Sequence, residues 1–237
     1  GMDWDGKPHL ADLLEELCKL DFHWIRLHYL YPEWIDDRLI DVIAREDKIL
    51  KYLDIPLQHC NDKILKKMNR RGDKKYLCAL LDKLRERIPG LVLRTSIIAG
   101  LPGEGEEEFD ELCDFLREQK LLRAGVFPYS PEEGTRAAKM ERVDSDEAAR
   151  RAERIVDIQS EIIDAWNDER QGDVMEVLCE GFDGQSMLFV GRSYAESPDI
   201  DGRIYFSAPR DVAAGEFVPV RITGAMDGEL TGELAEE

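Results

Sequence analysis

In "HLADLLEELCKL" the apolar side chains Leu10, Leu13, Leu14 and Leu17 recur at i, i+3, i+4 and i+7, the spacing of a helix with one buried stripe. The period then changes. "HWIRLHYLYP" predicts a strand closed by Pro32, "WIDDRLIDVIARE" a helix, and "YLDIPLQ" a short strand. "DKKYLCALLDKLRERIPG" predicts a helix that Pro-Gly ends. The β-branched run in "LVLRTSIIAG" gives the strongest strand, "EEEFDELCDFLREQK" the helix after it, and "RAGVFPYS" a further strand. Strands centred near residues 26, 54, 96 and 126, each joined to the next by a helix, make βα units with a parallel sheet. Either a (β/α) barrel or a doubly wound sheet fits these spacings.

Beyond "YSPEEGTRAAKM" a long helix is predicted, opened by Asp144 and Glu147 in a relative of the capping box. From Gly172 onward the helical period is gone. "DVMEVLCEGF", "SMLFVGRS", "GRIYFSA" and "EFVPVRITGA" are short strands between Gly, Asp and Pro, and they predict a small antiparallel barrel or sandwich. The expected domains are therefore residues 1–171, α/β, and residues 172–237, all-β.

Composition narrows the partners. Acids outnumber bases 51 to 32, a net charge of -19, which disfavours nucleic acid and anionic membranes unless basic residues cluster. From Gly172 the imbalance is sharper: Arg192, Arg203, Arg210 and Arg221 stand against 14 acids, with no lysine. No apolar run reaches the roughly 20 residues of a membrane span. The five cysteines (18, 60, 78, 113 and 179) are scattered, with no C-x-x-C and no metal-ligand spacing, as expected of reduced thiols in the cytoplasm.

The candidate chemistry lies at strand ends, where parallel α/β proteins bind ligands. Gln58 and His59, Arg94 to Ser96, and Tyr129 with Ser130 fall there. A period of two puts Arg94, Ser96 and Ile98 on one face, and an inward Arg94 requires an anion or carboxylate to meet it. "GLPGEGEEE" has the strand–turn–helix setting of a phosphate loop but lacks its Lys-Ser/Thr, and Glu104, Glu106, Glu107 and Glu108 would repel a phosphate. Acids also suit a helix start as such, through the helix dipole. A ligand at this corner should be cationic or neutral. His59-Cys60 has no nearby third or fourth ligand, so no metal site is expected of this chain.

Taken together, "YLDIPLQHCNDKILKKMNRRG", "LRTSIIAGLPGEGEEEFDELCDF", "GVFPYSPEEGT", "IQSEI" and "GRSYAESPDIDG" resemble the radical S-adenosylmethionine (SAM) methylthiotransferases, in the branch of RimO type. That branch modifies the β-carbon of an aspartate in a basic small-subunit ribosomal protein. The transfer-RNA-modifying relatives read closer to "PVQSGS" and "YSPRPGT", where this chain has "PLQH" and "YSPEEGT". The resemblance implies a partial (β/α) TIM-like barrel followed by a TRAM domain, a small OB-like β-barrel. It implies SAM as cofactor, lined by Gln58, Arg94, Ser96, Ile98, Gly100, Val126 and Phe127. It also implies [4Fe-4S] clusters bound through a C-x-x-x-C-x-x-C motif that this chain does not contain, so the chain alone is expected to be inactive and to ligate no cluster. The expected partner is the basic ribosomal protein, met through the acidic TRAM domain. Two other classes stay open: a non-enzymatic protein-binding module, and an ordinary barrel enzyme that uses Arg94 and His59.

Overall fold

The computed structural model of the protein describes residues 5–235. Strands β1 (Ile25–Leu27), β2 (Ile49–Asp54), β3 (Val92–Ala99) and β4 (Arg123–Pro128) form one sheet in chain order, with every neighbouring pair parallel. Helix α1 (Leu10–Cys18) precedes the sheet. The crossovers are α2 (Asp37–Arg45), then α3 (Asp62–Lys67) with α4 (Lys74–Arg87), then α5 (Glu106–Gln119). These are the βα units that the hydrophobic period predicts. Strand β1 is shorter than its sequence predicts: it ends at Leu27, and Tyr29 takes a left-handed φ of 57° before the 3-10 turn at Pro32.

Short polar residues start the helices. The carboxylate of Asp36 accepts the Leu39 N–H, and that of Asp73 accepts the Tyr76 N–H. Helix α3 is not among the helices predicted; its six residues are too few to show a period. Its one local signal is Asn61, whose side-chain oxygen accepts from the N–H groups of Lys63 and Ile64.

Helix α6 (Ser145–Glu169) is capped as its sequence predicts, Asp144 accepting the Glu147 N–H at 2.8 Å. The chain divides into two compact units, residues 1–159 and 160–237, so the second unit takes in the last turns of α6. Among the described residues no helix is long and apolar enough to cross a membrane.

The second unit contains a closed barrel of five strands: β5 (Val174–Asp183), β6 (Leu188–Arg192), β7 (Ile204–Ser207), β8 (Phe217–Met226) and β9 (Glu229–Leu234), ordered β5-β6-β7-β9-β8. Val177, Ile204, Phe206, Val218, Val220, Ile222 and Leu230 fill it. This corrects the expectation of a purely antiparallel domain: β9 was not predicted, and it pairs parallel with β7. Closure by β9 removes the free edges that four strands would leave. The missed signal is Asp227-Gly228, both with positive φ (52° and 79°), the pattern of a two-residue hairpin turn.

Candidate functional site

The sheet register collects polar groups on one face. Asp54 pairs with Arg94 and Arg94 with Arg123; one step on, Ser96 pairs with Gly125 and Ile98 with Phe127. Because side chains alternate along strands, these residues share the Arg94 face, whereas Val126, in register with Ile97, belongs to the other. Arg94 is 9% exposed, and its Nη1 donates to Asp54 Oδ1 at 3.0 Å. The inward arginine has thus met the carboxylate it requires. Asp54 Oδ2 is buried without a hydrogen-bond partner; His28 Nδ1, 3.7 Å away, is within ion-pair range but beyond hydrogen-bond reach. A Cβ at Gly125 would stand 3.4 Å from Arg94 Nη2 and 3.2 Å from the Phe127 ring, so this glycine keeps space beside the guanidinium. Phe127 is 54% exposed.

Gln58 is tied to β3 through the backbone, bridged in parallel with Ile97 of the other face. Its N–H donates to Ser96 O at 2.8 Å and its carbonyl accepts the Ile98 N–H at 3.0 Å. It holds φ at 71°, a left-handed conformation that costs a non-glycine residue energy. Gly100 ends the strand at φ 80°, and a Cβ there would lie 2.6 Å from Ala148 Cβ on α6, so close packing as well as conformation demands glycine. The structure therefore puts Arg94, Ser96, Ile98 and Phe127 on one face, with Gly100 after the strand end, while Val126 turns to the opposite face and Gln58 is bridged to Ile97 of that face.

The glutamates of the corner divide into two groups. Glu106, Glu107 and Glu108 open α5, where Glu108 accepts the Gly105 N–H. Glu104 instead turns inward and is buried. Its Oε1 accepts from the Gly100 N–H and from Arg151 Nη1, each at 2.9 Å. Its Oε2 stands 3.3 Å from His59 Nε2, close enough for an ion pair but not aligned for a hydrogen bond. His59 Nδ1 accepts the Asn61 N–H at 3.0 Å, which leaves the ring proton on Nε2, facing Glu104, in the neutral form. Burial pushes the Glu104 carboxyl up, but His59, Arg151 and the Gly100 N–H outweigh it and hold the pKa below its usual value. The corner is fixed from within by a carboxylate. His59 belongs to that support and not to the Arg94 face, which removes its part in the barrel-enzyme alternative.

Among the described residues no three His, Cys, Asp or Glu side chains are placed to hold a metal ion. Cys60, Cys113 and Cys179 are buried, and burial pushes each thiol up, away from the thiolate that an iron–sulfur cluster requires. The Arg94 face presents a different set of groups. It offers a tethered guanidinium, an unsatisfied carboxylate oxygen, the space at Gly125 and an exposed phenyl ring.

Comparison with known proteins gives two family matches. The family model described as Radical SAM superfamily matches residues 4–116, and the one described as TRAM domain matches residues 172–235. The parallel sheet is also similar to coproporphyrinogen III oxidase (HemN) from Escherichia coli, described as a radical SAM enzyme, with a TM-score of 0.53 over 65% of this chain and 36% of that one, at 20% identity; this likeness speaks to fold alone. The chain thus consists of a radical SAM domain joined to a TRAM domain. Among curated proteins, "Ribosomal protein uS12 methylthiotransferase RimO" of Symbiobacterium thermophilum is 46% identical over 100% of this chain and 50% of its own length. The protein of that name from Pelotomaculum thermopropionicum is 47% identical over 98% of this chain and 53% of its own length. The chain belongs to the radical SAM methylthiotransferases of RimO type, and it spans about half the length of these relatives.

Proposed function

We propose that the Arg94 face is the SAM site of an enzyme that adds a methylthio group to the β-carbon of an aspartate in ribosomal protein uS12. The observation that carries this reading is the Arg94 guanidinium, held by Asp54 through Nη1 while Nη2 lies beside the space kept by Gly125. Gln58, Arg94 and Ser96 supply polar groups, Ile98 and Phe127 offer apolar surface to an adenine ring, and Gly100 and Val126 contribute through their backbone. With the iron–sulfur clusters of the family present, SAM supplies radical chemistry at an unactivated carbon; no cysteine of this chain is assigned to those clusters. The acids of the corner agree with a cationic sulfonium and would oppose a phosphate.

The TRAM domain supports a protein substrate. Its 14 acids against four arginines from residue 172 onward, of which Glu236 and Glu237 lie outside the described residues, suit a lysine- and arginine-rich protein and repel RNA. Such a reaction belongs in the cytoplasm, where uS12 is made. The test uses a protein that contains this chain together with the remainder found in its relatives. It is incubated anaerobically with reductant, SAM and either uS12 or transfer RNA, and the products are read by mass spectrometry. One methylthio group on a uS12 aspartate is expected; the same group on transfer RNA, with uS12 unmodified, would overturn the reading.

A further inference from the structure

Asp54 stands between Arg94 and His28, and only one of its oxygens is bonded. Its Oδ1 accepts from Arg94 Nη1 at 3.0 Å. Its Oδ2 is buried without a hydrogen-bond partner and lies 3.7 Å from His28 Nδ1. A buried carboxylate oxygen left unbonded is costly, so a donor that can close on it gains by doing so. The side chain of Asp54 is 1% exposed and that of His28 is 35% exposed. The imidazole thus extends from the buried carboxylate toward solvent.

The segment after β1 keeps His28 in that place. The Leu30 N–H donates to the Asp54 carbonyl at 2.8 Å, which fastens the segment to the end of β2. Tyr29, between His28 and Leu30, takes its left-handed φ of 57°, a strain that proteins concentrate at functional positions. Tyr52 on β2 is fully buried and meets the imidazole edge to face at 6.1 Å, so one side of the ring rests on a fixed wall. Arg26 lies over the same Tyr52 ring at 4.3 Å, which makes the end of β1 cationic as well as aromatic.

We propose that His28 receives the side-chain carboxylate of the substrate aspartate and distinguishes it from a neutral side chain. The inference rests on the proposed protein substrate and assigns the group that selects its reacting residue. As imidazolium, His28 turns Nδ1–H to Asp54 and presents Nε2–H to a second anion. Arg94, Asp54, His28 and the incoming carboxylate then form a row of alternating charge, in which each group meets an opposite neighbour. The second anion favours the charged ring, and the charged ring closes on Oδ2, so the bond that Asp54 lacks forms with substrate. The carboxylate is joined directly to the β-carbon that the proposed reaction modifies, so holding it positions that carbon. A base of transfer RNA has no carboxylate to offer here.

The experiment uses the protein of the methylthio assay above, with uS12 and with uS12 whose target aspartate is replaced by asparagine, each well below saturation. The parent should prefer the aspartate form by about tenfold or more. In His28→Ala the rate on the aspartate form should fall about tenfold while the rate on the asparagine form is unchanged, so the preference disappears. His28→Arg, which keeps a cation, should recover part of it. If the asparagine form is not turned over, its inhibition constant against uS12 gives the same comparison. SAM binding by the 237-residue chain, read by nitrogen-15 NMR, should be parent-like in His28→Ala, which separates a lost substrate contact from a lost SAM site. Circular dichroism verifies folding, and His28→Gln carries the test if His28→Ala is unfolded. A parent-like preference in the active variant would overturn the assignment and leave the proposed reaction standing. An equal loss on both forms would mark His28 as structural and overturn it too. No methylthio transfer to uS12 by the parent would overturn both readings.

Discussion

Arg151, near the start of α6, holds Glu104 at the glycine corner after β3. Its Nη1 lies 2.9 Å from Glu104 Oε1 and 3.2 Å from the Glu104 carbonyl, and its Nε donates to Glu147 at 2.8 Å. The same Glu104 oxygen accepts the Gly100 N–H, so one guanidinium, one carboxylate and one amide set the turn that ends the strand. Arg151 is therefore a positioning residue for the corner.

Removing Arg151 leaves a buried carboxylate with only His59 and one amide to balance it. Arg151→Leu should lower the unfolding free energy by about 3 kcal/mol, and Arg151→Lys, which keeps the charge but loses the fork, by less. Urea unfolding measures both. Parent stability in Arg151→Leu would show that the ion pair contributes nothing.

The acid limb of stability should carry the signature of Glu104. Its folded pKa lies below the ordinary 4.5, so its contribution is present above that pH and is lost as pH falls through the folded value. Thermal melts between neutrality and acid should show the parent losing more stability below about pH 4.5 than Glu104→Gln, which has no charge to lose. Parallel curves for the two proteins would refute this.

Barrel closure depends on Gly232 of β9. A Cβ there would come 2.6 Å from the Arg221 carbonyl oxygen and 2.6 Å from Val220 Cγ1, a clash with backbone that no rotamer relieves. Gly232→Ala should destabilise the barrel by about 2 kcal/mol, measured by hydrogen exchange of the β7 and β9 amides. Unchanged protection would mean that β9 moves at little cost.

How far the sequence could be read depended on the range of each interaction. The four strands and the crossovers α2, α4 and α5 follow local periods, and all of these were legible. So was the cap at Asp144. Helix α3 was too short for a period, and β9 lay in a Gly- and Glu-rich run whose partners, β7 and β8, bury only Leu230 of it fully. Strand-end position and the resemblance both mark Arg94 and Gln58, but Asp54, which holds Arg94 in place, is its neighbour only through sheet register. Glu104 looked like one of four solvated acids. Its inward turn depends on Arg151, 47 residues away, and on His59, and no spacing rule connects the three.

The space at Gly125 should be required for ligand and dispensable for the fold. Gly125→Leu fills the gap beside Arg94 Nη2 and displaces the exposed Phe127 ring, so SAM binding should fall about tenfold or more while the melting temperature stays within a few degrees. Equal affinity in parent and variant would place the ligand elsewhere.

The claim that the Arg94 face receives SAM is tested most directly by nitrogen-15 NMR of this chain titrated with SAM, which reads even weak binding residue by residue. Saturable shifts are expected at the amides of Ser96, Ile98, Gly100, Gly125 and Phe127, none at Gly191 or Gly232 in the barrel, and loss of the response in Arg94→Ala. Shifts confined to the barrel, or an identical titration in Arg94→Ala, would contradict it.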